Sequence, residues 1–154
     1  MAAKGAAAKA RVAVAKTVPT TSSVRGFLDG VSDPKRRADC DTLVALMTKA
    51  AGEEPRMWGS SIVGFGEVYC PGSGGRFSHA PRLGFSPRQT ALSLYLIDGI
   101  ERHAADLPDL GAHTRGKGCL YLSSLSDVNL KVLGRILGAS VKNSKRLFLD
   151  RLPG

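Results

Sequence analysis

The stretch richest in chemical groups is Gly111-Ala-His-Thr-Arg-Gly-Lys-Gly118, which carries the GxxxxGK spacing of a phosphate cradle. In such a cradle glycines let backbone N–H groups converge on phosphate oxygens while the lysine supplies charge. That chemistry also needs a strand before the loop, a helix after it, and a Ser or Thr for magnesium. Here the loop is expected to follow a helix and open a strand, and the residue after Lys117 is Gly118, so the reading is a glycine-rich turn. His79, His103 and His113 lack zinc spacing, and no GxSxG or Cys–His signature lies near them. Cys40, Cys70 and Cys119 are odd in number and far apart, which predicts free thiols and not a disulfide framework or a metal knuckle. The acids Glu53-Glu54 and Asp39/Asp41 would do acid–base work only if the fold gathered them in a cleft; a solvated surface is expected. No catalytic set and no metal set is assigned.

Four residues remain as a candidate ligand surface: Arg56, Trp58, Arg88 and Lys117. Each sits in a Gly- or Pro-bearing segment near an expected strand end, and loops on a rigid sheet are common binding places. Cations beside an aromatic ring suit an anionic ligand, through charge, hydrogen bonds and stacking. The competing reading puts Trp58 in the core and Arg88 bracing its own corner; for any one of the four it is the favoured one.

The elements that must position these residues follow from the pattern. Residues 1–20 are Ala/Lys-rich and end at Val18-Pro19, and they read as a disordered basic tail. Ser22 or Ser23 caps a short helix to Gly30. Asp33-Pro34 opens a longer one whose Cys40, Leu43, Val44, Met47 and Ala51 make one apolar stripe, stopped by Gly52. Lys35, Arg36 and Arg37 occupy its first turn, against the helix dipole. In EPRMWGSSIVGFG (54–66), the centre of the chain, Val63 and Phe65 alternate with Gly64 and Gly66, as in a strand whose glycine face is closely approached. A hairpin loop is expected at 71–75, strands at 76–79, 83–86 and 91–97, and a bend at Pro81. Leu92, Leu94 and Leu96 share one strand face, while Ser93 and Tyr95 take the other. Asp98 and Glu101 predict a capping box for a short helix, Cys119–Leu122 a strand, and Ser126 the cap of a last long helix through Val141. Tight turns between strands favour an α+β fold: an antiparallel sheet of about four or five strands with helices packed on one side. The 154 residues fit a single domain over 21–142, with 143–154 a basic extension continuing the last helix.

Four blocks in order, KRRADCDTLVALM (35–47), EPRMWGSSIVGFG (54–66), GFSPRQ (84–89) and GKGCLY (116–121), resemble the YdhG-like family of domains of unknown function. The resemblance covers residues 20–142. It implies a compact α+β domain, somewhat frataxin-like, and carries no catalytic residues. Iron delivery has been suggested for some relatives. The chain departs from the pattern at Ala80, Gln89 and Ser123-Ser124.

The net charge of +9 is confined to the ends: +5 over 1–25 and +4 over 127–154, with eleven cations balancing eleven acids between them. Three functional expectations result. The first is a non-enzymatic binding or carrier module for a small anionic ligand or protein partner, with no cofactor. The second is frataxin-like iron handling, which the resemblance alone suggests. The third is weak non-specific nucleic-acid binding through 1–20 and 142–154. No apolar run is long enough for a membrane span, no secretory h-region is present, and a cytoplasmic location is expected.

Overall fold

The structure, a computed structural model, describes residues 11–12 and 18–152. Its elements in order are β1 (Arg11–Val12), α1 (Val24–Asp29), α2 (Pro34–Ala51), β2 (Pro55–Trp58), β3 (Ile62–Phe65), β4 (Val68–Pro71), β5 (Arg76–Ala80), β6 (Leu83–Pro87), β7 (Leu92–Leu96), β8 (Thr114–Arg115), β9 (Cys119–Leu122) and α3 (Leu130–Leu147). The class is α+β. The main sheet has six strands in the order β2-β3-β6-β7-β9-β8, every neighbour antiparallel. It exceeds the expected four or five because short strands close both edges. A second sheet is the β4–β5 hairpin, with β1 alongside β5.

Local chemistry sets the helices. The Ser23 hydroxyl accepts from Gly26 N at 2.9 Å, and the Asp33 carboxylate from Lys35 N at 3.1 Å, with Pro34 at the first helical position. α2 stops where Gly52 takes a left-handed φ of 71°. Two of the three first-turn cations of α2 have specific partners. Arg37 bonds Asp29 and Asp41, and Arg36 donates to the Arg88 carbonyl at 2.9 Å. The cap of α3 is Asn129 and not Ser126: its Oδ1 accepts from Lys131 N and Val132 N, while Ser126 belongs to a preceding single 3₁₀ turn.

One sheet face is alternating and apolar. Met57, Val63, Phe65, Leu83, Phe85, Leu94 and Leu120 meet Leu43 and Met47 of α2 and Leu133, Ile136 and Leu137 of α3 in one core. The other face holds Trp58, Ile62, Gly64, Gly84, Tyr95 and Cys119, by the same alternation. Of the tail, residues 1–10 and 13–17 lie outside the described residues. Val18–Thr20 runs beside β2, Thr20 N donating to Met57 O and Gly59 N to Val18 O. Beyond α3 the chain turns extended, and Leu149 exchanges both backbone hydrogen bonds with Tyr69 on β4.

The helix expected after Asp98 is a 3₁₀ turn, Ile100–His103, that Asp98 does not cap. Its carboxylate is committed elsewhere: it accepts from Ser140 Oγ at 2.6 Å and Asn143 Nδ2 at 2.9 Å on α3, and pairs with His103 Nε2 at 2.9 Å. No helix among the described residues is long and apolar enough to cross a membrane.

Candidate functional site

The glycine face of the sheet is the place to build from. β-Register puts Gly64 beside Gly84, Gly84 beside Tyr95, and Tyr95 beside Cys119. Two neighbouring glycines let other side chains close over the row, and the chain fills the space above both. Over Gly64 lies the Trp58 ring: a Cβ at Gly64 would sit 2.6 Å from Trp58 Nε1 and 2.9 Å from Pro81 Cβ. Over Gly84 lies Ile62, its Cγ2 3.3 Å from where a Cβ would stand, and beside this covered row the same face carries an apolar groove of about 470 Å³. Ile62, Ala80 and Pro81 wall one side; Tyr95, Ile97, Lys117 and Cys119 line the other.

Trp58 is fully buried and sits in an edge-on arrangement with His79, which stacks flat on Tyr69 with centroids 4.4 Å apart. Its N–H has no acceptor among the described residues. The ring is therefore packed into the sheet beside Pro81, over Gly64, and offers no open face for stacking. Arg56, its neighbour, lies 5.8 Å from the indole centroid and 3.5 Å from Glu67. That places Arg56 in a different hollow, of about 740 Å³, where Glu53, Glu54, Glu67 and Asp150 face Arg56, Arg82 and Lys145. Four carboxylates outnumber three cations there, and the hollow has no excess positive charge for an anion.

Of the two remaining cations only Lys117 lines the groove; Arg88 borders a separate hollow of about 530 Å³ with Phe27, Asp33 and Arg36, and reaches the groove only through Tyr95. Arg88 Nη2 donates to the Tyr95 hydroxyl at 3.0 Å, a bond that raises the guanidinium pKa further. Lys117 lies on the groove itself, in the turn whose backbone is pinned by Ile100 N donating to Lys117 O. Neither cation pairs with a carboxylate among the described residues. Of the four expected residues, then, Lys117 lines the groove, Arg88 touches its Tyr95 from a neighbouring hollow, Trp58 is buried over Gly64, and Arg56 stands apart. Tyr95, Cys119 and Pro81 were not among them. Tyr95 was already legible as the residue facing away from Leu94 and Leu96; the missing signal was that its row neighbour is glycine.

The other groups with chemical potential are spoken for. Gly116 N donates to Cys119 O and Thr114–Arg115 pairs with β9, so the GxxxxGK segment is a strand edge and not a cradle. Burial, with Asp41 next to it, pushes the Cys40 thiol up to about 11, which keeps it neutral. Asp39 accepts from Leu125 N and Asp41 from Arg37. Among the described residues no three His, Cys, Asp or Glu side chains are grouped to hold a metal. Ser140, Asp98 and His103 together do not form a nucleophile relay, because the hydroxyl points to the carboxylate and not to the imidazole, and all three are buried.

Comparison with protein-family models, curated proteins and solved structures finds no match for this chain. The YdhG-like resemblance thus rests on the four sequence blocks.

Proposed function

We propose that this chain is a non-enzymatic binding or carrier module for a small amphipathic anion, a carboxylate or phosphate on an apolar body, held in the glycine-face groove. One observation carries the reading: an apolar concavity bordered by Lys117, a cation without a carboxylate partner among the described residues, and by Tyr95, whose hydroxyl accepts from Arg88. The apolar body would lie on Ile62, Pro81 and Tyr95, Lys117 would take the charge, and Arg88 would act through the Tyr95 hydroxyl that it holds. A cytoplasmic setting belongs to the same reading and is supported by the three free cysteines.

Calorimetry with decanoate and with decanol as probes tests it. Decanoate is expected to bind and decanol to bind at least tenfold more weakly, a factor of ten corresponding to about 1.4 kcal/mol. Lys117→Met should erase most of the difference. Absence of decanoate binding, or a preference unchanged by Lys117→Met and by Arg88→Met, removes the proposal.

A further inference from the structure

A second concavity, on the opposite side of the molecule, lies between α2 and α3. It measures about 650 Å³, and its floor is Leu46 and Ala50 of α2 with Gly134, Gly138 and Val141 of α3. The two glycines face open space, with nothing within 4 Å of where a Cβ would stand. Four lysines rim the groove, Lys49 from α2 and Lys131, Lys142 and Lys145 from α3, and no acidic side chain among the described residues lines it. None of the four ammonium groups pairs with a carboxylate among those residues, and three of them, Lys49, Lys131 and Lys142, belong to this groove alone, Lys145 also bordering the hollow that holds Arg56 and Glu67. Leu130, 41% exposed, adds an apolar edge at one end.

We infer that this groove docks an acidic amphipathic helix of a partner protein. Charge and shape both argue for that occupant. A helix laid in a groove offers a narrow apolar stripe with flanks on either side, and here an apolar floor has cationic flanks to meet acidic ones. The absent side chains at Gly134 and Gly138, one turn apart, let the incoming backbone come close. Each flanking helix has 18 residues, about 27 Å of wall at 1.5 Å per residue. A phosphate backbone would use the lysines but has no need of an apolar floor. A lipid surface would be met by a protruding apolar face, whereas this one is recessed between two helices. The inference does not rest on the anion-binding reading, since no residue is shared between the two grooves.

The test uses a synthetic peptide of about 20 residues, long enough to hold helix, with a leucine stripe flanked by glutamates, and a second with lysines replacing the glutamates. Fluorescence anisotropy with the full chain should show binding of the glutamate peptide, weakened as salt rises, and none of the lysine peptide. Lys131→Glu with Lys142→Glu should weaken it by about tenfold or more. Gly138→Leu fills the groove without touching charge, at a helical site where leucine is the better helix former, and should weaken it as much. Cooperative thermal unfolding of each variant, at a midpoint no lower than that of the unaltered chain, certifies its fold. Lys117→Met should leave peptide binding as it was, which separates this site from the other groove. No glutamate-peptide binding, or equal binding by Gly138→Leu, overturns the inference. So does tighter binding of phosphatidylglycerol vesicles or duplex DNA that the same variants abolish.

Discussion

Asp98 shows how one buried side chain joins two parts of the chain. Its carboxylate has no exposed surface, and burial alone would raise its pKa; the hydrogen bonds from His103, Ser140 and Asn143 outweigh that and lower it. A carboxylate held below its unfolded value stabilises the fold above about pH 4, and that contribution is lost as pH falls through the folded value. Asp98→Asn should therefore flatten the acid limb of a stability-versus-pH curve from denaturant titrations. Asp98→Ala, which strands a buried imidazole and a buried hydroxyl, should cost about 3–5 kcal/mol. Glycine substitutions divide by environment in the same way. Gly64→Ala drives a methyl into Trp58 and Pro81, and should destabilise by about 1–3 kcal/mol or more, with a change in emission of the single tryptophan. Unaltered stability and emission would mean the ring has room that the close packing denies it.

At the scale of elements the sign reverses. Gly134 and Gly138 sit inside α3 with open space where a Cβ would go, and Gly134→Ala and Gly138→Ala should each raise stability by about 0.5–1 kcal/mol in urea titrations. A gain marks a helix held below its attainable stability by residues that keep the groove open. Helices and strands with a long apolar period were legible beforehand: the stripe of α2, the Leu92–Leu96 alternation and the glycine face of β3 all stand where the pattern put them. What was not legible depended on partners distant in sequence. Asp98 has the local signature of a cap, yet Ser140 and Asn143, over 40 residues on, claim its carboxylate. Ser126 yielded the cap of α3 to Asn129 because a 3₁₀ turn intervenes. The two-residue β8 is too short for periodicity to show. The candidate site was half legible for the same reason: charge and turn chemistry singled out Arg88 and Lys117, but only strand register brings Gly64, Gly84, Tyr95 and Cys119 into one row.

For the molecule as a whole, the segment after α3 is part of the fold. Leu149 pairs with Tyr69, and the Asp150 carboxylate bonds Arg82, whose other guanidinium nitrogen donates to Ser144 at 2.8 Å. Arg82 is only 6% exposed, against the turn at Gly66, and burial lowers its pKa. A buried guanidinium needs a counter-charge, and Asp150, though its own side chain is 68% exposed, supplies the one in contact. The segment's worth should therefore depend on Arg82. Ending the chain at Leu147 removes the strand pairing and the carboxylate together, and should cost more than losing an exposed extended segment would. The same truncation in an Arg82→Met background, where no buried cation is left behind, should cost less, with a coupling of about 0.5–3 kcal/mol. Four urea titrations, of the full chain, the truncation, Arg82→Met and both together, close the cycle. Equal truncation costs in the two backgrounds would assign the segment's contribution to the Leu149–Tyr69 pairing alone and strip the Arg82–Asp150 contact of any role in stability.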